Sequence, residues 1–218
     1  MEKTDVIKRI KDLGLLAVIR GPSETLTIKI IDALVQGGIL GIEVTFSTPN
    51  AYDVVEQANK KYGDRILLGM GTLTLPEQAE SARDIGAKFL VSPICNEPLV
   101  RSMAESGLVT MAGALTPTEV FQAYEFGSDI VKVFPGSLAG PAYIRAIKGP
   151  FPHIPLMPTG GINISNIRDW FEAGVIAVGA GSELCPSQLA KEGRFEDITK
   201  RAMSFVKIIS EVQSEKEQ

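Results

Sequence analysis

A short unit repeats along this chain: a helical stretch ends at a glycine, and a brief apolar, β-branched run follows. Two examples are Gly127 before residues 130–133 and Gly174 before residues 175–178. The glycine suits the position just past a helix end, where the backbone often turns left-handed. A short, nearly continuous apolar run is typical of a parallel strand that is buried on both faces. The repeat therefore predicts helices that alternate with buried parallel strands.

Eight apolar runs can be counted along the chain. They lie near residues 15–20, 40–46, 65–71, 88–92, 108–112, 129–134, 154–159 and 175–180. Eight strands that alternate with helices favour an α/β fold of the (β/α)8 TIM-barrel class, and an open doubly wound sheet is the alternative. Because no linker or composition break divides the chain, we expect one domain over residues 1–218. In such barrels the active site forms at the carboxyl ends of the strands.

The two ends of the chain carry their own signals. Val6, Ile7, Ile10 and Leu13 recur at helical spacing, which predicts an extra amphipathic helix before the first strand, and not a signal peptide. The polar segment 213–218 is expected to be a frayed tail.

Composition bounds the partners and cofactors. The formal net charge of −4 gives no support for nucleic-acid or membrane-surface binding, and no apolar run reaches the ~18 residues of a membrane span. Cys95 and Cys185 are isolated thiols, which suits a reducing compartment, so we expect a cytoplasmic protein. His153 is the only histidine and is expected in a solvated loop. A metal site or a serine triad is therefore poorly supported, and no metal or cofactor is expected.

The sixth strand carries a lysine between two valines, Val131 and Val133. Strand alternation puts Lys132 and Phe134 on one face and the valines on the other. If the valines pack against the helices, Lys132 points into the barrel mouth. Burial disfavours a charged amine, and a neutral amine can attack a ketone to form a Schiff base. The alternative is a structural lysine that reaches solvent or pairs with a carboxylate.

The second strand carries a carboxylate in a comparable place. Glu43 and Thr45 share a face, opposite Val44. A buried carboxylate is costly unless it is paired, and two opposite charges on different strands of one barrel can meet near its axis. Glu43 is either half of a structural ion pair or a general acid/base beside the lysine. Together with Lys132, it favours catalysis.

Two glycine-bearing turns follow the seventh and eighth strands. The first is Thr159-Gly160-Gly161, and the second contains Gly181-Ser182. Turns at these two positions match the phosphate site that is common in this barrel class, because glycines let backbone amides approach a phosphate. Ser182 offers a hydroxyl donor. Plain tight turns are the alternative.

Three further residues stand at strand ends. Thr72 follows the Gly69–Gly71 strand end and is a candidate for binding a substrate carboxylate, or simply a helix cap. Arg20 ends the first strand, where it binds an anion or forms a surface salt bridge. Pro93 closes the fourth strand and is expected to shape the wall of the site.

The chain resembles the 2-keto-3-deoxy-6-phosphogluconate (KDPG) aldolases, also called 4-hydroxy-2-oxoglutarate aldolases, from Leu16 to Pro186. The motifs that carry the resemblance are residues 38–45 with Glu43, Gly69-Met70-Gly71-Thr72, Ser92-Pro93, Val131-Lys132-Val133-Phe134-Pro135 and Pro158-Thr159-Gly160-Gly161. The resemblance implies that Lys132 forms the Schiff base and that Glu43 handles protons. It implies substrate contacts for Thr72, Pro93, Thr159, Gly160, Gly161 and Ser182, and a homotrimer. We expect Arg20, Phe134 and Gly181 to bind the substrate as well.

The implied reaction is cleavage of KDPG to pyruvate and glyceraldehyde 3-phosphate, with 4-hydroxy-2-oxoglutarate as a further candidate substrate. Several members of the family have an arginine at the position of Ser47, which leaves the substrate range open. Thr159 resembles the gluconate-type enzymes, since a galactonate-type group tends to carry an apolar residue there. The alternatives are an aldolase for the galactonate epimer, or a phosphosugar isomerase or epimerase on the same barrel.

Overall fold

The computed structural model describes residues 1–216, which form alternating strands and helices behind one amino-terminal helix. The strands are β1 (Leu15–Ile19), β2 (Gly41–Thr45), β3 (Leu67–Gly71), β4 (Phe89–Val91), β5 (Val109–Ala114), β6 (Ile130–Val133), β7 (Leu156–Pro158) and β8 (Val178–Ala180). The helices are α1 (Lys3–Leu13), α2 (Glu24–Gln36), α3 (Ala51–Tyr62), α4 (Glu77–Asp84), α5 (Glu97–Glu105), α6 (Pro117–Glu125), α7 (Gly136–Lys148), α8 (Ile167–Glu172), α9 (Ser187–Lys191) and α10 (Phe195–Lys216).

The eight strands form one parallel sheet that curls into a barrel. Its order is β7-β6-β5-β4-β3-β2-β1-β8. The remaining seam, between β7 and β8, is closed by a bridge between Thr159 and Gly179 and by the amide of Ile176, which donates to the carbonyl of Leu156 at 3.1 Å. The predicted (β/α)8 barrel and its extra amino-terminal helix are confirmed, and the doubly wound sheet is wrong.

Alternation along the strands separates two apolar cores. Val131 and Val133 pack outward, into the larger core between the sheet and the helices. Ile130 packs inward, into the smaller core within the barrel, where Val6 and Ile10 of α1 also lie. Helix α1 therefore closes the amino-terminal end of the barrel with apolar side chains. The outward valines leave Lys132 on the inward face, as the sequence predicts.

The carboxyl-terminal half of the interior is built differently, because several inward positions lack a side chain. A Cβ added to Gly69 would lie 2.3 Å from the ring of Phe89, and one added to Gly113 would lie 2.2 Å from the carbonyl carbon of Pro93. Real Cβ atoms do not approach other atoms so closely. The glycines therefore make room for larger neighbours, and polar groups occupy the space above the apolar layers.

Some boundaries differ from the sequence-based expectation. Strand β8 begins at Val178, not near residue 175. The expected frayed tail is wrong for residues 213–216, because α10 continues to Lys216 and the Gln213 amide donates to the carbonyls of Lys11 and Asp12. Residues 217 and 218, the rest of that expected tail, lie outside the described residues. His153 is exposed and contacts Tyr124 edge-on. No helix between residues 1 and 216 is long and apolar enough to span a membrane.

Candidate active site

Lys132 and Glu43 meet inside the barrel mouth. The ammonium nitrogen Nζ of Lys132 lies 4.0 Å from Oε1 of Glu43, across the barrel interior from β6 to β2. Lys132 is 4% exposed and Glu43 is fully buried. The pair therefore forms where strand alternation and the outward valines predict it.

The carboxyl group of Glu43 is positioned by its charged neighbours and by packing, without hydrogen bonds. Neither oxygen has a hydrogen-bond partner. Burial raises the pKa of Glu43 above its ordinary value of 4.5, and the positive charges of Lys132 and Arg20 partly oppose that rise. A carboxyl group with a raised pKa and unused lone pairs is suited to exchange protons with a ligand.

Gly71 creates the space that Glu43 occupies. A Cβ added to Gly71 would lie 1.8 Å from Oε1 of Glu43. No side chain larger than hydrogen can stand on β3 at this level without displacing the carboxylate. The glycine in the G-M-G-T motif thus fixes the position of the acid on the neighbouring strand.

Phe134 connects the lysine with a neighbouring cavity. Nζ of Lys132 lies 5.1 Å from the centre of the Phe134 ring. The same ring lies beside the turn after β7, since a Cβ at Gly160 would be 3.8 Å from its Cε2 atom. Phe134 also lines a cavity of about 380 Å³ at the carboxyl end of the barrel. The Lys132 amine and this cavity therefore share one wall.

Most of the predicted substrate-binding residues surround that cavity. Its lining includes Arg20, Phe134, Thr159, Gly160, Gly161, Gly181 and Ser182. Gly160 and Gly161 both have positive φ, of 94° and 74°, which favours glycine. Because neither glycine carries a side chain, the backbone of this turn is open to a ligand.

Thr159 places a buried hydroxyl at the same cavity. Its Oγ1 atom has no hydrogen-bond partner, although the residue is only 6% exposed. Gly179 on β8 makes room for it, because a Cβ there would lie 2.4 Å from Oγ1. A buried hydroxyl without a partner is costly, so this group is suited to a polar group of a ligand.

Thr72 and Pro93 lie at the strand ends where they were expected. Thr72 has a φ of 64°, rare for a residue with a branched side chain. It does not cap the following helix, because α4 begins at Glu77 with Pro76 as its N-cap residue. Pro93 packs its carbonyl group against Gly113 at the end of β5. Neither residue lines the 380 Å³ cavity.

Sequence reasoning missed part of the cavity wall. Cys185 and Gln188 also line it, and the Cys185 sulfur faces the carbonyl of Gly181 at 3.6 Å. Burial raises the pKa of the Cys185 thiol to about 12, so it is not an available nucleophile. These residues line the cavity because the short helix α9 and the segment before it pack there. No local sequence pattern predicts their position.

Ser47 stands where several members of the family have an arginine, and its hydroxyl pairs with that of Thr45. Thr45 Oγ1 donates to the carbonyl of Ile19 at 2.9 Å and lies 2.8 Å from the hydroxyl of Ser47. Ser47 itself is exposed. Among residues 1–216, no cluster of three or more His, Cys, Asp or Glu side chains is arranged to hold a metal ion.

The family model for KDPG and KHG aldolases matches residues 6–201 of the chain. The chain belongs to this aldolase family. The match spans all eight strands and includes both Lys132 and Glu43. The isomerase and epimerase alternative is thereby set aside.

Individual relatives support the same assignment. The 2-dehydro-3-deoxy-6-phosphogalactonate aldolase of Escherichia coli strain K12 is 30% identical, over 91% of this chain and 96% of that protein. A KDPG aldolase from Legionella pneumophila, with pyruvate captured as a covalent carbinolamine intermediate, has a TM-score of 0.84 and 28% identity, covering 94% of this chain and 98% of that one. A designed cube-shaped cage, made by fusing symmetric oligomeric domains, has a TM-score of 0.87 and 30% identity, covering 94% of this chain and 75% of that one.

The aldolase is therefore a lyase of the Schiff-base class. Relatives named for both the gluconate and the galactonate substrate occur at similar identity. The family thus defines the reaction type but does not distinguish between the two substrates.

Gly71→Ala tests whether the glycine positions the acid. The new Cβ would overlap Oε1 of Glu43, so we expect the carboxylate to move, turnover to fall at least ~10-fold, and stability to drop by about 1–3 kcal/mol. Aldol cleavage rates and denaturant unfolding measure both effects. Gly149→Ala is the control, since its φ of −57° suits alanine and its nearest contact would be 3.3 Å. Wild-type turnover in Gly71→Ala would contradict this account of the site.

Proposed function

We propose that this aldolase cleaves KDPG to pyruvate and glyceraldehyde 3-phosphate through a Schiff base on Lys132. The observation that carries the proposal is the buried amine 4.0 Å from the Glu43 carboxylate, beside a cavity rimmed by two glycine turns. The amine supplies the nucleophile, the carboxylate supplies the proton exchange, and the cavity holds the far end of the substrate. Each part of the reaction thus has a group in reach.

The first stage joins the substrate to Lys132. The neutral amine attacks the C2 ketone and gives a carbinolamine, and loss of water gives an iminium ion. The Phe134 ring lies 5.1 Å from Nζ and stabilises the positive charge through its face. Glu43, the nearest carboxylate to Nζ, offers the opposite charge.

The second stage breaks the C3–C4 bond. The electron pair of that bond moves into the iminium ion and leaves an enamine on Lys132. Glu43 takes the proton of the C4 hydroxyl, directly or through a water molecule, and glyceraldehyde 3-phosphate departs. The enamine is then protonated at C3, and water hydrolyses the resulting iminium to release pyruvate and the free amine. Atoms and charge balance without a further reagent.

The substrate phosphate fits the cavity between the two turns. Gly160, Gly161 and Gly181 leave their backbone uncovered by side chains, and Ser182 adds a hydroxyl donor. Arg20 brings a positive charge to the same cavity. At the other end of the substrate, Thr72 and Pro93, which follow β3 and β4, are the candidates for binding its carboxylate. The chain is slightly acidic overall, so local groups must provide this anion binding.

Thr159 favours the gluconate substrate over its galactonate epimer. The epimers differ in the configuration of a hydroxyl group at C4. A rotation of the Thr159 side chain would turn its unpartnered Oγ1, which lies against Gly179, to a substrate hydroxyl, and an apolar residue could not make that bond. An unphosphorylated keto-acid such as 4-hydroxy-2-oxoglutarate would forgo the contacts in the phosphate cavity.

Cleavage rates for three substrates test this proposal. We expect the highest kcat/KM for KDPG, a lower value for the galactonate epimer, and a higher KM for 4-hydroxy-2-oxoglutarate. A coupled assay for released pyruvate measures all three. Lys132→Met should abolish turnover of every substrate, whereas Lys60→Met, which removes an exposed lysine paired with Glu56, should not. Activity retained by Lys132→Met would refute the Schiff-base assignment, and a preference for the epimer would refute only the substrate.

The pH dependence of kcat/KM tests the role of Glu43. Because the pKa of Glu43 is raised, the carboxyl stays protonated to a higher pH than a free glutamate and cannot then accept a proton. We therefore expect kcat/KM of the wild-type enzyme to fall as the pH is lowered through the pKa of Glu43. Glu43→Gln should remove part of this acid limb and lower the rate about 10²–10⁴-fold. Glu97→Gln, at an exposed glutamate bound to Arg101, is the control. An unchanged limb and rate in Glu43→Gln would contradict the role.

We also infer that the enzyme is a homotrimer in the cytoplasm. The resemblance to a trimeric family and the oligomeric domains of the similar designed cage support self-association. Exposed apolar side chains such as Phe121 and Leu138 offer surface that association would cover. Both cysteines are free, which suits a reducing compartment. Sedimentation velocity should give three times the 23.4 kDa chain mass, and a monomer would overturn this inference.

A further inference from the structure

Arg201 on α10 contacts the turn that follows β8. Its Nη1 atom donates a hydrogen bond of 2.7 Å to the backbone carbonyl of Glu183. Glu183 follows Ser182 directly, and Ser182 lines the cavity assigned above to the substrate phosphate. The arginine therefore acts on the turn from outside and does not line the cavity itself.

The turn is fixed at its beginning by its own backbone. The amides of Leu184 and Cys185 both donate to the carbonyl of Gly181, at 3.0 and 2.8 Å. The Arg201 guanidinium fixes the next part, at the carbonyl of Glu183. Ser182 lies between the two fixed carbonyls, so both restrict where its amide and hydroxyl can point.

Helix α10, which carries Arg201, is fixed to its neighbours by packing and by a hydrogen bond. Thr199, two residues earlier, donates through Oγ1 to the carbonyl of Ala33 on α2 at 3.0 Å. Ala202 packs so closely against Gly37 that a Cβ there would lie 2.4 Å from the alanine methyl. Phe205 is buried as well. The helix that carries Arg201 is thus locked to the barrel.

Arg201 also borders a cavity that the segment after the other glycine turn helps to line. It lines a second cavity, of about 330 Å³, with Asn163, Ile164 and Glu183. Asn163 and Ile164 follow Gly161 in the turn after β7, just as Glu183 follows Ser182 after β8. One cationic side chain therefore borders a space that residues from both turns also line.

We propose that Arg201 is a positioning residue for phosphate binding, which it supports by holding the turn that carries Gly181 and Ser182. This inference rests on the proposed function of that turn. A fixed turn has its donors in place before the ligand arrives, so less ordering opposes binding. Arg201 has no part in the chemistry at Lys132, so its effect should depend on whether the substrate has a phosphate.

The experiment compares Arg201→Met with wild type on KDPG and on unphosphorylated 4-hydroxy-2-oxoglutarate. Loss of one hydrogen bond from a charged group leads us to expect a rise of about 3- to 10-fold in KM for KDPG, with kcat unchanged. The KM for 4-hydroxy-2-oxoglutarate should stay at the wild-type value. Arg201→Lys, which retains a donor, should recover part of the KM for KDPG.

Lys207→Met is the matched control, because it removes one exposed positive charge from the same helix. It should leave both KM values unchanged. Circular dichroism and thermal unfolding establish that the variants fold, and Arg201→Gln replaces Arg201→Met if the latter does not. Equal KM changes for both substrates, a fall in kcat, or an effect shared with Lys207→Met would overturn the positioning role.

Ser182→Ala separates this inference from the proposed function. If Ser182→Ala leaves the KM for KDPG unchanged, the Ser182 hydroxyl does not bind the phosphate and the proposed function itself is wrong at that point. If Ser182→Ala raises the KM for KDPG but Arg201→Met does not, only the positioning role of Arg201 fails.

Discussion

The structure depends on the burial of two ionisable groups, Lys132 and Glu43, 4.0 Å apart inside a barrel of apolar side chains. Removing ionisable groups from water is costly, and the Glu43 carboxyl group has no hydrogen bond that would offset this cost. The apolar cores between sheet and helices and at the closed end of the barrel supply the stability that offsets it. The site is thus a layer of buried polar groups, some of them without hydrogen-bond partners, on a well-packed apolar base, and such arrangements are frequent at catalytic centres.

Small residues make that layer possible. Gly71 leaves space for the Glu43 carboxylate, and Gly179 does the same for the Thr159 hydroxyl. Phe134 then forms a common wall for Lys132 and the 380 Å³ cavity, so a single strand end contributes to both parts of the proposed site. Because Arg201 of α10 bonds to the turn after β8, the proposed anion binding is tied to an outer helix, whereas the proposed chemistry is tied to the strands.

The sequence predicts the fold and the charged pair well, for identifiable reasons. Buried parallel strands are short apolar runs after glycines, so all eight could be counted, and valines on both sides of Lys132 set its direction. Residues that depend on packing between distant segments were not predictable. Gln188 lines the cavity because α9 packs beside it, and Arg201 bonds to a residue 18 positions earlier in the chain. Gln213 is not part of a frayed tail, because the carbonyls of Lys11 and Asp12 accept its hydrogen bonds.

The central claim is that Lys132 is the amine that captures the keto-acid. Borohydride reduction in the presence of pyruvate, followed by proteolysis and mass spectrometry, measures this directly, because reduction converts a Schiff base into a stable secondary amine. The account predicts one pyruvate-derived adduct per chain, located on Lys132. An unmodified Lys132, or an adduct carried by another lysine, would contradict it.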